Sequence, residues 1–207
     1  MAQSPIDEKR PNLKKRILKE IREWIVSLAV ALLVVTVLRM FVFTLIRVDG
    51  ESMQPTLLNG ERLFVTVYDV KFGEIERGDV VICRYPNRGN DNFVKRVAGL
   101  PGDSVYREGG VTHVVCAAET AEGAEIRDEA LDPDVLVSPY RFSPDYDAYV
   151  LGENEYFVVG DNRYDSHDSR DWNDADPSRD VGPITKDMIT GHVRQVIWPL
   201  NEFRTVE

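Results

Sequence analysis

Cysteine is almost absent: Cys83 and Cys116 are the only two in 207 residues. They make no CxxC element and no disulfide framework. They could pair, or serve as two small buried hydrophobes, and sequence alone decides neither. Histidine is nearly as scarce. His113, His167 and His192 are scattered without zinc-ligand spacing, so neither a metal nor any other cofactor is expected. Net positive charge is confined to the start. Residues 1–23 hold seven bases (Lys9, Arg10, Lys14, Lys15, Arg16, Lys19, Arg22) against four acids, a charge of +3. The rest therefore carries −13 of the total −10. An acidic body argues against nucleic acid as a partner. Internal repeats are lacking, and so is an amphipathic helical pattern in the body, apart from a possible turn or two at 185–190.

One long apolar run is present. Trp24 to Leu38 is uncharged and mostly apolar, Arg39 interrupts, and Met40-Phe41-Val42-Phe43-Thr44-Leu45-Ile46 continues. A bilayer core needs ~20 helical residues. Arg39 lies toward the far end, where its stem can reach outward. Ala29-Val30-Ala31 has the form of a signal-peptide cleavage site, but it lies inside the run rather than after it, so a retained anchor is the better reading. The expected organisation is a cytoplasmic basic leader (1–23), a transmembrane anchor (24–46) and an extracytoplasmic domain (47–207). The bases put the N-terminus inside, close to membrane lipid.

The body patterns as strand at 62–68, 79–85, 92–99, 104–107, 155–159 and 191–198, with turn signals at Arg77-Gly78 and Leu100-Pro101-Gly102-Asp103. The expected fold is mostly β, an antiparallel sheet behind one N-terminal helix. Residues 107–153 differ: 117–134 is acidic and alanine-rich, and 138–147 is rich in turn residues. They read as an inserted subdomain. Near the end, Trp198, Pro199, Leu200 and Phe203 suit either a core or a membrane interface.

Ser52 stands in Asp49-Gly50-Glu51-Ser52-Met53-Gln54-Pro55-Thr56-Leu57, six residues beyond the apolar run. A serine hydroxyl needs a base to attack. None of the histidines has the context of a Ser–His–Asp triad. Lys95 stands in Phe93-Val94-Lys95-Arg96-Val97, and apolar neighbours favour a neutral amine that can accept a proton. Taken singly, Lys95 suits a solvent-facing strand residue and Ser52 a turn. A third segment, Gly160-Asp161-Asn162-Arg163 with Ser166-His167-Asp168-Ser169-Arg170, raises the catalytic reading of both.

These segments, in this order and together with Arg77-Gly78-Asp79-Val80-Val81, resemble the bacterial type I signal peptidases, membrane-bound enzymes that remove signal peptides from exported precursors. The resemblance implies that Ser52 is the nucleophile, forming an acyl-enzyme, and that Lys95 is the general base, oriented by Ser166. The Ser52 N–H would give part of the oxyanion hole. The family's additional serine donor, two residues before the nucleophile, is Gly50 here. Ile46, Val48, Leu57, Phe93 and Val94 would line shallow pockets for small residues. Asp161, Arg96, Asp168 and Arg170 would support the site through ion pairs. Signal-peptide-bearing precursors are the implied partners. The alternatives are a self-cleaving serine–lysine protease, against which the anchor argues, and an inactive tethered paralogue that only binds.

Overall fold

A computed structural model describes residues 13–116, 128–131 and 144–206. The chain separates into two compact units, residues 1–41 and 42–207. The first holds one helix, α1 (Leu13–Phe41). Its stretch Arg16–Leu38 has a mean hydropathy of 2.1 and is long and apolar enough to cross a membrane. Its apolar side chains, Trp24, Leu28 and Leu32 among them, are exposed all round, as in a helix that has lipid for solvent. The leader residues before 13 and the Arg39 side chain lie outside the described residues.

The apolar run does not stay helical to Ile46. Phe43–Arg47 is strand β1, paired antiparallel with β2 (Arg62–Thr66) from Phe43↔Thr66 to Arg47↔Arg62. Aromatic and β-branched residues suit a pleated surface, and a waiting partner strand captures them. The helix therefore ends at Phe41, five residues before the end of the apolar run at Ile46.

The second unit adds α2 (Tyr68–Phe72), β3 (Val80–Cys83), β4 (Phe93–Gly99), β5 (Ser104–Glu108), β6 (Val111–Val115), β7 (Asp128–Ala130) and β8 (Tyr146–Val150). Then follow β9 (Glu155–Val159), β10 (Ile184–Thr185), β11 (Ile189–Trp198) and β12 (Arg204–Thr205). The large sheet runs β1-β2-β11-β3-β4-β9-β10, with β12 on β11. A second sheet runs β7-β6-β5-β8. All pairings are antiparallel.

Strand alternation builds the core. On β4, Phe93 and Val97 face one apolar cluster with Val81, Cys83, Tyr85 and Val158. Val94 faces the other, with Leu57, Leu63, Val65 and Ile82. Each such side chain taken fully out of water contributes ~1.5–3 kcal/mol. A third cluster, Val105, Val114, Leu131, Leu151, Phe157 and Val159, joins the two sheets.

One expectation needs adjusting. The strand expected over 62–68 stops at Thr66, and Tyr68–Phe72 is helical. Thr66 Oγ1 donates to Asp69 Oδ2 at 2.6 Å, and Asp69 Oδ1 accepts the Val70 N–H, which turns the chain there. The second sheet draws its strands from the 107–153 region and begins just before it, with β5 running from Ser104 to Glu108 and pairing with β6 and β8. Most of the acidic stretch 117–134 and part of 138–147 lie outside the described residues.

Candidate active site

Ser52 sits on a loop closed at its base. Val48 N–H donates to the Glu61 carbonyl (2.8 Å) and Gly60 N–H to the Val48 carbonyl (3.0 Å). Met53 and Leu57, both buried, pin the loop to the core. Gly50 has φ +112°, a left-handed conformation that side chains resist, which suits glycine in place of a donor-bearing residue. Arg204 holds the loop from β12. Its guanidinium donates to both Glu61 carboxylate oxygens (2.8 and 2.9 Å) and to the Thr56 carbonyl (2.7 Å). On the other side, the Ser52 carbonyl accepts the Asn162 N–H at 3.0 Å.

Lys95 comes from β4 on the same face as Phe93 and Val97. Only 2% of it is exposed, and its Nζ lies 2.7 Å from Ser52 Oγ. Burial pushes its amine below the ordinary lysine value, and the negative charge of Asp168 only partly offsets this. The neighbouring Cys83 thiol is pushed up to about 12 by burial, so it stays protonated. Neither cysteine forms a disulfide; both are buried thiols.

Ser166 comes to the same place through Gly160. A Cβ on Gly160 would overlap both Ser166 Oγ and the Ser52 carbonyl oxygen, so the close approach requires glycine there. Gly160 N–H donates to Asp168 Oδ2 at 2.9 Å. Asp168 is held by Arg170 through two bonds of 2.8 Å, and neither side chain is exposed. Arg96 makes a second two-pronged pair with Asp161, both bonds 2.8 Å, and also donates to the Gly78 carbonyl. Burial pushes the Asp161 carboxyl up, but hydrogen bonds from Arg96 and Thr56 and the Arg96 charge together hold it below the usual range.

Beside Ser52 and Lys95 opens a cleft of about 110 Å³. Ile46, Val48, Phe93 and Val94 line it, as do Met53, Ile82, Asn92, Arg47 and Asp49. Leu57, expected on the wall, is instead fully buried in the core beneath, among Val48, Met53 and Leu63. Its neighbour Met53 lines the cleft in addition; nothing in the local pattern tells which of the two faces outward. Ile82 was findable, because it pairs directly with Val94 across β3 and β4.

The histidines are engaged elsewhere. His192 Nε2 lies 3.2 Å from Asp79 Oδ1, and His167 Nδ1 lies 3.1 Å from Asp171 Oδ2. Among the described residues no His, Cys, Asp and Glu group could hold a metal.

A serine hydroxyl against a buried amine, on an antiparallel sheet, is chemically equipped for serine hydrolysis. Comparison with known proteins agrees with that class. Residues 21–198 match the family model described as signal peptidase, peptidase S26. The chain belongs to this family, and so to its serine peptidases. It is 34% identical over 190 residues to signal peptidase IB of Staphylococcus aureus (strain COL), covering 90% of this chain and 94% of that one. It is 32% identical over 200 residues to signal peptidase I S of Bacillus subtilis (strain 168), covering 95% and 98%. A crystal structure of a signal peptidase I from Enterococcus faecalis V583 aligns with a TM-score of 0.36 at 22% identity, over 57% of this chain and 96% of that one.

Proposed function

We propose that the protein is a membrane-anchored endopeptidase that removes signal peptides from exported precursors, with Ser52 as nucleophile and Lys95 as general base. The observation that carries this reading is the 2.7 Å approach of Lys95 Nζ to Ser52 Oγ in a buried setting. A neutral amine accepts the Ser52 proton as the oxygen attacks the scissile carbonyl. Lys95 passes that proton to the leaving amine, and an acyl-enzyme remains on Ser52. Lys95 then takes a proton from the water that attacks the ester and returns it to Ser52 Oγ as the acid leaves. The Ser52 N–H serves the developing oxyanion. Ser166 orients the lysine, and the Asp168–Arg170 and Arg96–Asp161 pairs hold its surroundings.

The small apolar cleft suits alanine-sized side chains on the acyl side of the cut, and excludes bulk by its own walls. Residues 1–23 face the cytoplasm, the apolar helix spans the membrane and 42–207 works outside. Family membership supports the substrate class, and the basic leader supports the orientation.

The test is mass spectrometry of a secretory precursor with an Ala-x-Ala site, incubated in detergent with wild-type protein or Lys95→Ala. Cleavage after the second alanine by wild type only is expected. Cleavage by both would remove Lys95 as base. No cleavage by folded wild type would favour a tethered paralogue that only binds.

A further inference from the structure

We propose that Tyr85 is a positioning residue that ties the wall of the cleft to the segment carrying Ser166. The inference rests on the reading of Ser52, Lys95 and Ser166 given above, and adds a residue that the motifs do not single out.

Tyr85 follows β3 and is buried. One face of its ring stacks on Phe93, with centroids 4.3 Å apart and planes 8° from parallel. Phe93 lines the cleft beside Ser52. The Tyr85 hydroxyl donates to the His167 carbonyl at 2.9 Å. That carbonyl lies between Ser166 and Asp168 in the chain. The His167 ring stands edge-on to Tyr85 at 5.8 Å, and its Nδ1 reaches Asp171 Oδ2. The same Asp171 oxygen accepts the Asp168 N–H at 3.1 Å. One buried side chain thus touches the cleft wall with its ring and the Ser166–Asp168 segment with its hydroxyl.

Phenylalanine would pack equally well against Phe93. What tyrosine adds is the one bond to the His167 carbonyl. Burial pushes its ionisation well above the ordinary tyrosine value, so the hydroxyl remains a donor. A substrate side chain pressing on Phe93 therefore bears, through one stacked ring, on the segment that sets Ser166.

The test measures kcat and KM against pH for the full chain in detergent, with a precursor bearing an Ala-x-Ala site. Wild type, Tyr85→Phe, Tyr85→Leu and Lys95→Ala are compared. Tyr85→Phe keeps the stack and deletes the bond. Its kcat is expected to fall about 10- to 100-fold, the scale of a small misplacement of a catalytic group, with KM unchanged. Its acid limb should move to higher pH, because a looser segment lets water reach Lys95 and restores its protonated form. Tyr85→Leu should also raise KM, since Phe93 loses its backing. Wild-type kcat and acid limb in Tyr85→Phe would overturn the proposal, and so would a lower melting temperature with both unchanged. If Tyr85→Leu does not fold, Tyr85→Phe still decides. Wild-type cleavage by Lys95→Ala would instead sink the underlying reading, whatever Tyr85 does.

Discussion

The two sheets each bury a cationic side chain, and they treat it differently. In the large sheet Lys95 is 2% exposed and meets the Ser52 hydroxyl. In the four-stranded sheet Arg107 is 5% exposed; it donates to Thr112 Oγ1 at 3.0 Å, and its Nε lies 4.0 Å from the Asp145 carboxylate. A guanidinium cannot give up its proton, so a buried one takes a carboxylate. An amine can, so a buried lysine can face a hydroxyl and become a base. The surroundings follow the same division. β3 is buried along its whole length, whereas β8 lies mostly exposed. Burial in the large sheet is what lowers the Lys95 amine.

The sharpest way to break the contrast is Asp168→Asn. Arg170 would be left as a fully buried charge without its carboxylate, a loss of about 3–5 kcal/mol. Thermal or urea denaturation should show it, along with reduced cleavage as Gly160 loses its anchor. A melting temperature equal to wild type would mean that the pair is not what holds this region.

Lowering the pH comes next. In the proposed mechanism the active form of Lys95 is neutral, and burial depresses its amine, so that mechanism predicts activity lost on the acid side of the lowered value. The loss should approach about tenfold per pH unit, as for one essential base. A rate unchanged from mildly alkaline to mildly acidic pH would count against lysine as base. His192→Ala should do far less. Its ring is engaged with Asp79, and precursor cleavage is expected to stay within about threefold, as for a residue outside the proton path. Total loss in a folded variant would revive a histidine base.

The smallest effect belongs to the second sheet. Tyr106 stacks on His113 across β5 and β6, with centroids 4.6 Å apart. Tyr106→Ala should cost about 0.5–1 kcal/mol and leave kcat alone. A drop in kcat would show that the two sheets are coupled.

Much of this was written in the chain, unevenly. The strands around the site were legible because their alternation is strong, and Lys95 stood out as the charged residue on the apolar side of β4. The switch at Phe41 was not, because hydropathy treats Phe43 to Ile46 alike as membrane helix or as strand, and only the partner strand β2 decides. The hairpin of β5 and β6 alternates cleanly across Gly109-Gly110, but the acidic stretch that follows masked it. Leu57 and Met53 could not be assigned to wall or core, because a loop has no period from which to read a face. Tyr85 and Arg204 act through long-range contacts that no local pattern encodes.

Arg204 has one more consequence. It lies 143 positions beyond Glu61, its partner in closing the Ser52 loop. A growing chain acquires Ser52 and Lys95 early, yet that clamp is added only after nearly the whole of the large sheet has been made. Order of synthesis thus puts the brace on last: the half-made protein carries Ser52 and Lys95 before it has the clamp that closes the Ser52 loop.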